Sequence, residues 1–221
     1  MEFLKSAIDL FLHLDEYLQT IITTYGAWTY GILFVVIFVE TGLVVMPFLP
    51  GDSLLFAAGT FAALGSLNVW FIVGMMSVAA VVGDAVNYMI GHYLGERAYN
   101  IKWIKREHLD KTHAFFEKHG GKAIFLARFV PIVRTFAPFV AGIGRMSYGY
   151  FATYNVVGGI SWVFIFTLLG YFFGNIPFVR NNFELVIIVI ILVSVLPMVF
   201  EWIKQRREAA HAAVKSAETA E

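Results

Sequence analysis

Two arginines stand in an otherwise apolar stretch of the chain, FLARFVPIVRTFAP at 125–138. Arg128 and Arg134 each lie three residues from Pro131. An arginine at the centre of a bilayer costs ~2.5–3.5 kcal/mol even on the mildest scale, and proline removes a backbone donor and breaks a helix. Such a stretch needs a polar pocket, and a guanidinium suits bidentate recognition of phosphate. It therefore predicts an anion-binding pocket that the proline shapes.

Acidic side chains in other apolar stretches supply the opposite charge. Glu40 lies in the middle of a long apolar segment, Asp52 follows Pro50 and Gly51 in PFLPGDSLL, and Asp84 lies in VVGDAVNY. Acids and bases that meet inside a membrane offset each other's cost of burial. Because buried carboxyls can also exchange protons, the three acids are candidates for proton coupling.

Structural roles stay open for these charged residues. Asp52 is placed to cap the N-terminus of a short helix, since it follows a Pro-Gly pair. Either arginine can serve only to tie helices together, through an acid or through backbone carbonyls. Asp84 can pair with Asn87 or with an arginine, whereas Glu40 has no capping role to explain it.

The composition indicates an integral membrane protein. Of the 221 residues, 59% are hydrophobic and 14% are charged, whereas about a quarter of a soluble domain is charged. The formal net charge of zero argues against a nucleic-acid partner. The chain has no cysteine, and the histidines at 92, 108, 113 and 119 match no metal-binding spacing. We therefore expect neither a metal nor a cofactor.

Four stretches are long and apolar enough for spanning helices, which need about 20 residues. They are 28–49, 68–91, 149–175 and 183–203. Two more apolar stretches, near 47–66 and 120–145, are too short to cross and return as complete helices. Broken helices are tolerated at membrane depth where protein or water covers the freed backbone, so we expect two re-entrant helical hairpins. The residues expected to shape them are Pro47, Pro50, Gly51, Pro131 and Pro138.

The distribution of basic residues predicts the topology. Lysine and arginine concentrate at 92–122 and in the C-terminal tail, which the positive-inside rule places in the cytoplasm. Both termini are then cytoplasmic, and Gly51 and Arg180 face the other side. One hairpin enters from each face, as in the inverted repeats of secondary transporters. The predicted fold is an all-α integral membrane protein with about four spanning helices and two oppositely oriented re-entrant hairpins.

The chain divides into three parts. Residues 1–26 have apolar positions at helical spacing with acids between them, which predicts an amphipathic helix on the membrane surface or against the bundle. Residues 27–205 form the membrane transport domain, including a cytoplasmic amphipathic helix near 103–119. Residues 206–221 form a polar cytoplasmic tail.

Four motifs follow one another along the chain: ETGLVVMPFLPGDSLL, GDAVNYMIGHYLG, FFEKHGGKAIFLARFVPIVRTFAPFVAGIGRM and YNVVGGISW. Together they resemble the DedA family of bacterial membrane proteins, within the VTT-domain superfamily, over about residues 10–205. The resemblance implies inverted re-entrant hairpins. It also implies movement of lipids such as undecaprenyl phosphate or phospholipid across the membrane, often with dependence on the proton gradient. The residues it marks are Glu40, Asp52, Arg128 and Arg134.

These observations predict a multi-pass protein of the bacterial inner membrane that is a lipid flippase or scramblase. Arg128 and Arg134 would bind the lipid phosphate, while Glu40, Asp52 and Asp84 would exchange protons. The alternative is a proton-coupled ion antiporter that uses the same acids and moves no lipid. An enzyme is not expected, because the GDS tripeptide has no histidine partner nearby. Assembly into a homo-oligomer stays open.

Overall fold

The computed structural model describes residues 14–43, 51–94, 122–182, 185–186 and 188–190, and this part of the chain contains helices and no strand. In chain order the helices are α1 Leu14–Tyr25, α2 Trp28–Gly42, α3 Gly51–Ala63, α4 Val69–Leu94, α5 Lys122–Ala127, α6 Pro131–Ile143, α7 Tyr148–Phe173 and α8 Pro177–Asn181. The predicted all-α class is confirmed for these residues. The predicted helix near 103–119, the tail at 206–221 and most of the span at 183–203 lie outside the described residues.

Two long helices form the centre of the molecule. α4 and α7 each have 26 residues and are apolar enough to cross a membrane, with a length of about 39 Å at 1.5 Å per residue. They pack antiparallel: the rings of Tyr88 and Phe151 lie 4.5 Å apart. Farther along, the Asn155 side-chain amide donates to the Val81 carbonyl at 3.0 Å. The shorter helices α3 and α6 pack against these two long helices.

The apolar stretch at 28–49 does not form the single spanning helix that the sequence predicts. α2 ends at Gly42 after 15 residues, and Leu43 has an extended backbone with φ −109° and ψ 118°. The Glu40 carboxylate accepts a hydrogen bond from the backbone N–H of Gly51 at 3.3 Å, so the start of α3 lies beside the end of α2. A helix of 15 residues is about 22 Å long, too short for a hydrocarbon core of about 30 Å.

The short helix α3 lies directly against the long helix α7. A Cβ added to Gly59 would lie 2.0 Å from the carbonyl oxygen of Thr167, and one added to Gly170 would lie 1.9 Å from that of Phe56. Glycine on both helices therefore lets the two backbones touch. Asp52 contacts Trp162 at the other end of the pair, so the two helices run in the same direction.

The short helix α6 lies against α4 through the same kind of contact. A Cβ on Gly142 would lie 2.1 Å from the Tyr88 carbonyl oxygen, and one on Gly91 would lie 2.1 Å from that of Phe139. The Thr135 carbonyl accepts from Asn87, four residues before Gly91, so α6 also runs parallel to its long partner. Because α4 and α7 are antiparallel, α3 and α6 run in opposite directions.

The segment before α2 has one buried edge. Leu18 of α1 is buried in the main apolar cluster, whereas its neighbours Glu16 and Tyr17 are exposed. Thr29, at the start of α2, donates its hydroxyl to the Ile21 carbonyl at 3.4 Å. α1 therefore packs against the bundle along one edge, which is one of the two placements that its amphipathic sequence predicts.

Candidate functional site

A break in the chain separates the two arginines of the FLARFVPIVRTFAP stretch. α5 ends at Ala127 and α6 begins at Pro131, and Val130 between them has an extended backbone with φ −123° and ψ 104°. Proline at the first helical position loses no hydrogen bond, since that N–H has no helical partner in any case. Arg128 therefore lies before the break and Arg134 lies in the first turns of α6.

The first charged cluster, which we call the Arg134 centre, joins three short helices. Nη1 of Arg134 lies 2.7 Å from Oδ1 of Asp52, and Nη2 lies 2.5 Å from Oε1 of Glu40. Arg134 and Glu40 are buried, and Asp52 has only 15% of its side chain exposed. Since Glu40 is on α2, Asp52 on α3 and Arg134 on α6, one guanidinium links α6 to both α2 and α3.

Gly51 makes room for this centre at the start of α3. Its backbone N–H donates to Glu40, and a Cβ in its place would lie 2.0 Å from Oε2 of Glu40. A carboxylate at a helix N-terminus also interacts favourably with the helix dipole. Gly51 is therefore needed for the close approach of Glu40. The flanking Pro47 and Pro50, predicted to shape the same hairpin, lie outside the described residues.

The second charged cluster, which we call the Arg128 centre, lies between α4 and α7. Nη2 of Arg128 is hydrogen-bonded to Oδ2 of Asp84, and it also donates to Oδ1 of Asn155 at 2.6 Å. Gly158 and Gly159 of α7 border the guanidinium: a Cβ there would lie 3.3 Å from Cδ and 3.2 Å from Nη2 of Arg128. Asp84 thus pairs with an arginine, one of the two pairings that the sequence left open.

Several polar atoms of the two centres are buried without a hydrogen-bond partner in the described part of the chain. They are Nε and Nη1 of Arg128, Oδ1 of Asp84 and Oε2 of Glu40. Buried polar groups are nearly always hydrogen-bonded, so exceptions call for a physical explanation. Unsatisfied donors and acceptors beside two ion pairs are groups that an anion or a proton can satisfy.

Trp162 of α7 lies between the two centres and is fully buried. Its indole N–H donates to Oδ1 of Asp52 at 2.8 Å, the oxygen that also accepts from Arg134. Its ring centroid lies 4.9 Å from Cζ of Arg134 and 6.0 Å from Cζ of Arg128, within range of cation–π attraction. Trp162 has no role among the sequence-based predictions. A tryptophan inside an uncharged span could have marked it, because a buried indole N–H needs a hydrogen-bond acceptor from elsewhere in the chain.

The remaining predicted residues fall at the edges of these centres. Asp52 lies in the first turn of α3 rather than before it, and its carboxylate meets Arg134 and Trp162. Pro138 is buried inside α6, where it has no N–H to donate to the carbonyl four residues earlier. Asn87 donates to the carbonyls of Thr41 and Thr135, so it ties α4 to α2 and α6.

The charges of the two centres do not balance. Three carboxyls, those of Glu40, Asp52 and Asp84, face two guanidiniums, which leaves one excess negative charge when every group is ionised. A buried uncompensated charge is costly. The arrangement can therefore take up a proton, and it can bind an anion only where a carboxylate gives way.

The fold and the site define a class of helical membrane protein, and comparison with known proteins agrees. Residues 49–172 match the VTT domain. The Escherichia coli K12 protein named Protein DedA is 57% identical over 218 residues, which is 96% of this chain and 100% of that relative. The chain belongs to the DedA family of membrane proteins.

More distant relatives carry names that also place them in membranes. An uncharacterized membrane protein of Mycobacterium leprae is 46% identical over 166 residues, which is 74% of each chain. The inner membrane protein YqjA of Escherichia coli K12 is 34% identical over 174 residues, covering 77% of this chain and 79% of that relative. No solved structure matches the chain.

Proposed function

We propose that this protein moves an anionic, phosphate-headed lipid, such as undecaprenyl phosphate or a phospholipid, across the bacterial inner membrane. The observation that carries the proposal is the pair of buried arginines at a helix break, where Nε and Nη1 of Arg128 have no hydrogen-bond partner in the described part of the chain. A planar guanidinium is suited to phosphate. The headgroup uses the polar centres while the acyl or prenyl tails stay in the bilayer. The proposal is transport rather than catalysis.

Re-entrant hairpins are part of this proposal. α2 and α3 turn back on each other beside Glu40 and Gly51, and α3 and α6 have only 13 residues each, about 20 Å of helix. Their N-terminal ends carry Asp52 and Arg134, which meet in one ion pair. Opposed half-helices that meet at a polar centre are the plan of many secondary transporters, in which one repeat moves against the other.

Proton coupling follows from the charge balance. An incoming phosphate adds negative charge to centres that already hold three carboxyls and two guanidiniums. Protonation of Glu40, Asp52 or Asp84 removes that excess and frees an arginine for the phosphate. Proton uptake on one side of the membrane and release on the other would then drive the lipid in one direction.

The helix directions support a topology that differs in part from the sequence-based one. Tyr30 accepts a hydrogen bond from Asn68, so α2 begins beside the start of α4, and Ala63 accepts from Asn175. With 95–121 cytoplasmic, the segments around 26–28, 64–68 and 175 belong on the periplasmic side. Gly51 lies at the buried Arg134 centre and does not face the periplasm as the sequence predicted. A single cysteine at exposed Ser66, in this Cys-free chain, should instead react with an impermeant reagent from the periplasmic side.

A proton-coupled ion antiporter is the second candidate. The observation in its favour is the unpartnered Oε2 of Glu40 among the described residues, in a site with more acids than bases. Such a carboxyl can carry a proton or contact a cation. The antiporter needs no anion site, and so it leaves the unpartnered donors of Arg128 without a role.

Reconstitution into vesicles tests the two candidates together. We expect the purified protein to move a fluorescent phosphatidylglycerol and a short-chain polyprenyl phosphate between leaflets, measured by quenching of the outer headgroups. The Arg145→Gln variant, in which an exposed arginine is removed, is the matched control and should behave as wild type. Proton and cation flux without headgroup movement would replace the lipid transporter with the antiporter.

A further inference from the structure

The two arginines are held unequally. Both terminal nitrogens of Arg134 donate to carboxylates, one to Asp52 and the other to Glu40. Arg128 uses Nη2 alone, for Asp84 and Asn155, while its Nε and Nη1 have no partner among the described residues. Each arginine thus uses two of its five N–H donors, but Arg134 engages both terminal nitrogens with carboxylates, whereas Arg128 makes both contacts through Nη2.

The local charge is also unequal. Arg134 faces two carboxylates, whereas Arg128 faces one carboxylate and the neutral amide of Asn155. A phosphate at Arg134 must displace one of two acids and then lies beside the other. At Arg128 it meets donors that have no partner among the described residues, and within that part of the chain Asp84 is the carboxylate paired with the arginine.

The surroundings of Arg128 also suit a ligand. Its side chain is 2% exposed and lies against Gly158 and Gly159, where a Cβ would lie 3.2–3.3 Å from atoms of Arg128. Nε and Nη1, which have no partner among the described residues, lie on different edges of the guanidinium, and each shares its edge with Nη2. A phosphate can therefore accept in a bidentate manner only where Asp84 or Asn155 gives up its contact with Nη2. The unsatisfied donors of Arg128 and the two glycines that border its side chain are independent observations.

We propose that Arg128 alone binds the lipid phosphate, with Asp84 as the carboxylate that competes for it, and that Arg134 is an ionic latch between the two hairpins. This inference rests on the proposed function and divides the labour of its two arginines. The latch role follows from the elements joined, since Arg134 ties α6 to α2 through Glu40 and to α3 through Asp52.

The division gives the acids opposite effects on phosphate binding. Asp84→Asn removes the competitor of the phosphate, and asparagine keeps the size of the side chain. We expect affinity to rise about tenfold, within the usual range of coupling between linked groups. Asp52→Asn acts on the latch and should leave affinity at Arg128 near the wild-type value.

Titration calorimetry with dodecyl phosphate, on the purified full chain in maltoside micelles, measures these affinities. We expect saturable binding to wild type, tighter binding to Asp84→Asn, and no saturable binding to Arg128→Gln. Arg134→Gln should still bind the probe. Glu16→Gln, at an exposed acid, is the matched control and should bind as wild type, and thermal unfolding of each variant reports whether it is folded.

The outcomes separate this inference from the proposed function. Tighter binding to Asp52→Asn without a change in Asp84→Asn, or loss of binding in Arg134→Gln with binding kept in Arg128→Gln, would move the phosphate to Arg134. Equal loss in both arginine variants overturns the division as well. If Arg128→Gln does not fold, the two acid variants still decide. Wild type that neither binds dodecyl phosphate nor moves lipid would overturn the proposed function itself.

Discussion

The pairs α3–α7 and α6–α4 share one packing arrangement and carry opposite charges. In each pair a glycine of the short helix, Gly59 or Gly142, meets a backbone carbonyl of the long helix, and the short helix runs parallel to its partner. Near its N-terminal end, however, α3 carries Asp52 and α6 carries Arg134. The backbone contact is repeated, whereas the charge is reversed.

This difference shows which part of the arrangement holds the fold and which part carries chemistry. Because α3 and α6 run in opposite directions, their N-terminal ends meet at the Arg134 centre. An acid in both helices would place two like charges together in a buried site, where repulsion is strong. Because the charges are opposite, the N-terminal ends of α3 and α6 can meet without repulsion. Glycine substitutions should therefore affect both pairs alike, whereas charge substitutions should affect them differently.

Removal of an arginine should have the largest effect on stability. Arg134→Ala leaves Glu40 and Asp52 buried without their cation, and breaking a buried ion pair costs about 3–5 kcal/mol. Arg128→Ala leaves Asp84 alone and should destabilise the protein less. Thermal unfolding in detergent measures both, with exposed Arg145→Ala as the control. An equal loss of thermal stability in the two variants would show that Arg134 and Arg128 contribute equally to the fold.

Substitution of the contact glycines should come next. Gly59→Ala and Gly142→Ala each put a Cβ about 2 Å from a carbonyl oxygen. Overpacking typically costs about 1–3 kcal/mol, and both should lie at the upper end because a helix backbone cannot move aside as a flexible side chain can. We expect similar losses of thermal stability in the two variants. Gly74→Ala on α4 meets nothing within 4 Å and should be neutral or slightly stabilising, since alanine favours a helix by up to about 1 kcal/mol over glycine. If only one of Gly59→Ala and Gly142→Ala lowers thermal stability, the pairs α3–α7 and α6–α4 are not equivalent.

Loss of the indole N–H of Trp162 should have the smallest effect on stability. Trp162→Phe keeps a ring beside the arginines but removes the donor to Asp52, and a hydrogen bond to a charged group contributes about 1.5–3 kcal/mol. We expect an effect at the lower end, because Asp52 keeps Arg134. Trp70→Phe changes an exposed tryptophan and serves as the control. Identical unfolding curves for the two variants would remove Trp162 from the site.

The broken helices could be predicted from sequence because the physical penalties are local. Proline at 131 cannot continue a helix, and Arg128 and Arg134 are too costly to face lipid, so a break beside buried charge follows from fourteen residues. The end of α2 at Gly42 could not be predicted in this way. It depends on Glu40 reaching Gly51 eleven residues later, while apolar residues continue past 42 and resemble a longer span.

The choice of partners was also beyond the sequence. The sequence predicts that acids meet bases, but Arg128 pairs with Asp84, 44 residues away, because the end of α5 lies against Gly158 of α7, which packs beside α4. Arg134 takes both Glu40 and Asp52 because α3 and α6 meet end to end. These pairings follow from helix directions that no local pattern encodes. The substrate and proton roles of the five charged residues stay predictions.

The most direct measurement concerns the role of Arg128 in moving lipid. The double variant Arg128→Gln/Asp84→Asn removes both charges of a buried pair and keeps polar side chains, so neither partner is left as an unpaired charge and the net charge of the two centres is unchanged. Its headgroup translocation in vesicles should be compared with that of wild type and of exposed Arg145→Gln. We expect a folded double variant that moves no phosphate-headed lipid. Translocation at the wild-type rate would show that Arg128 only balances Asp84, and it would contradict a phosphate site at this arginine.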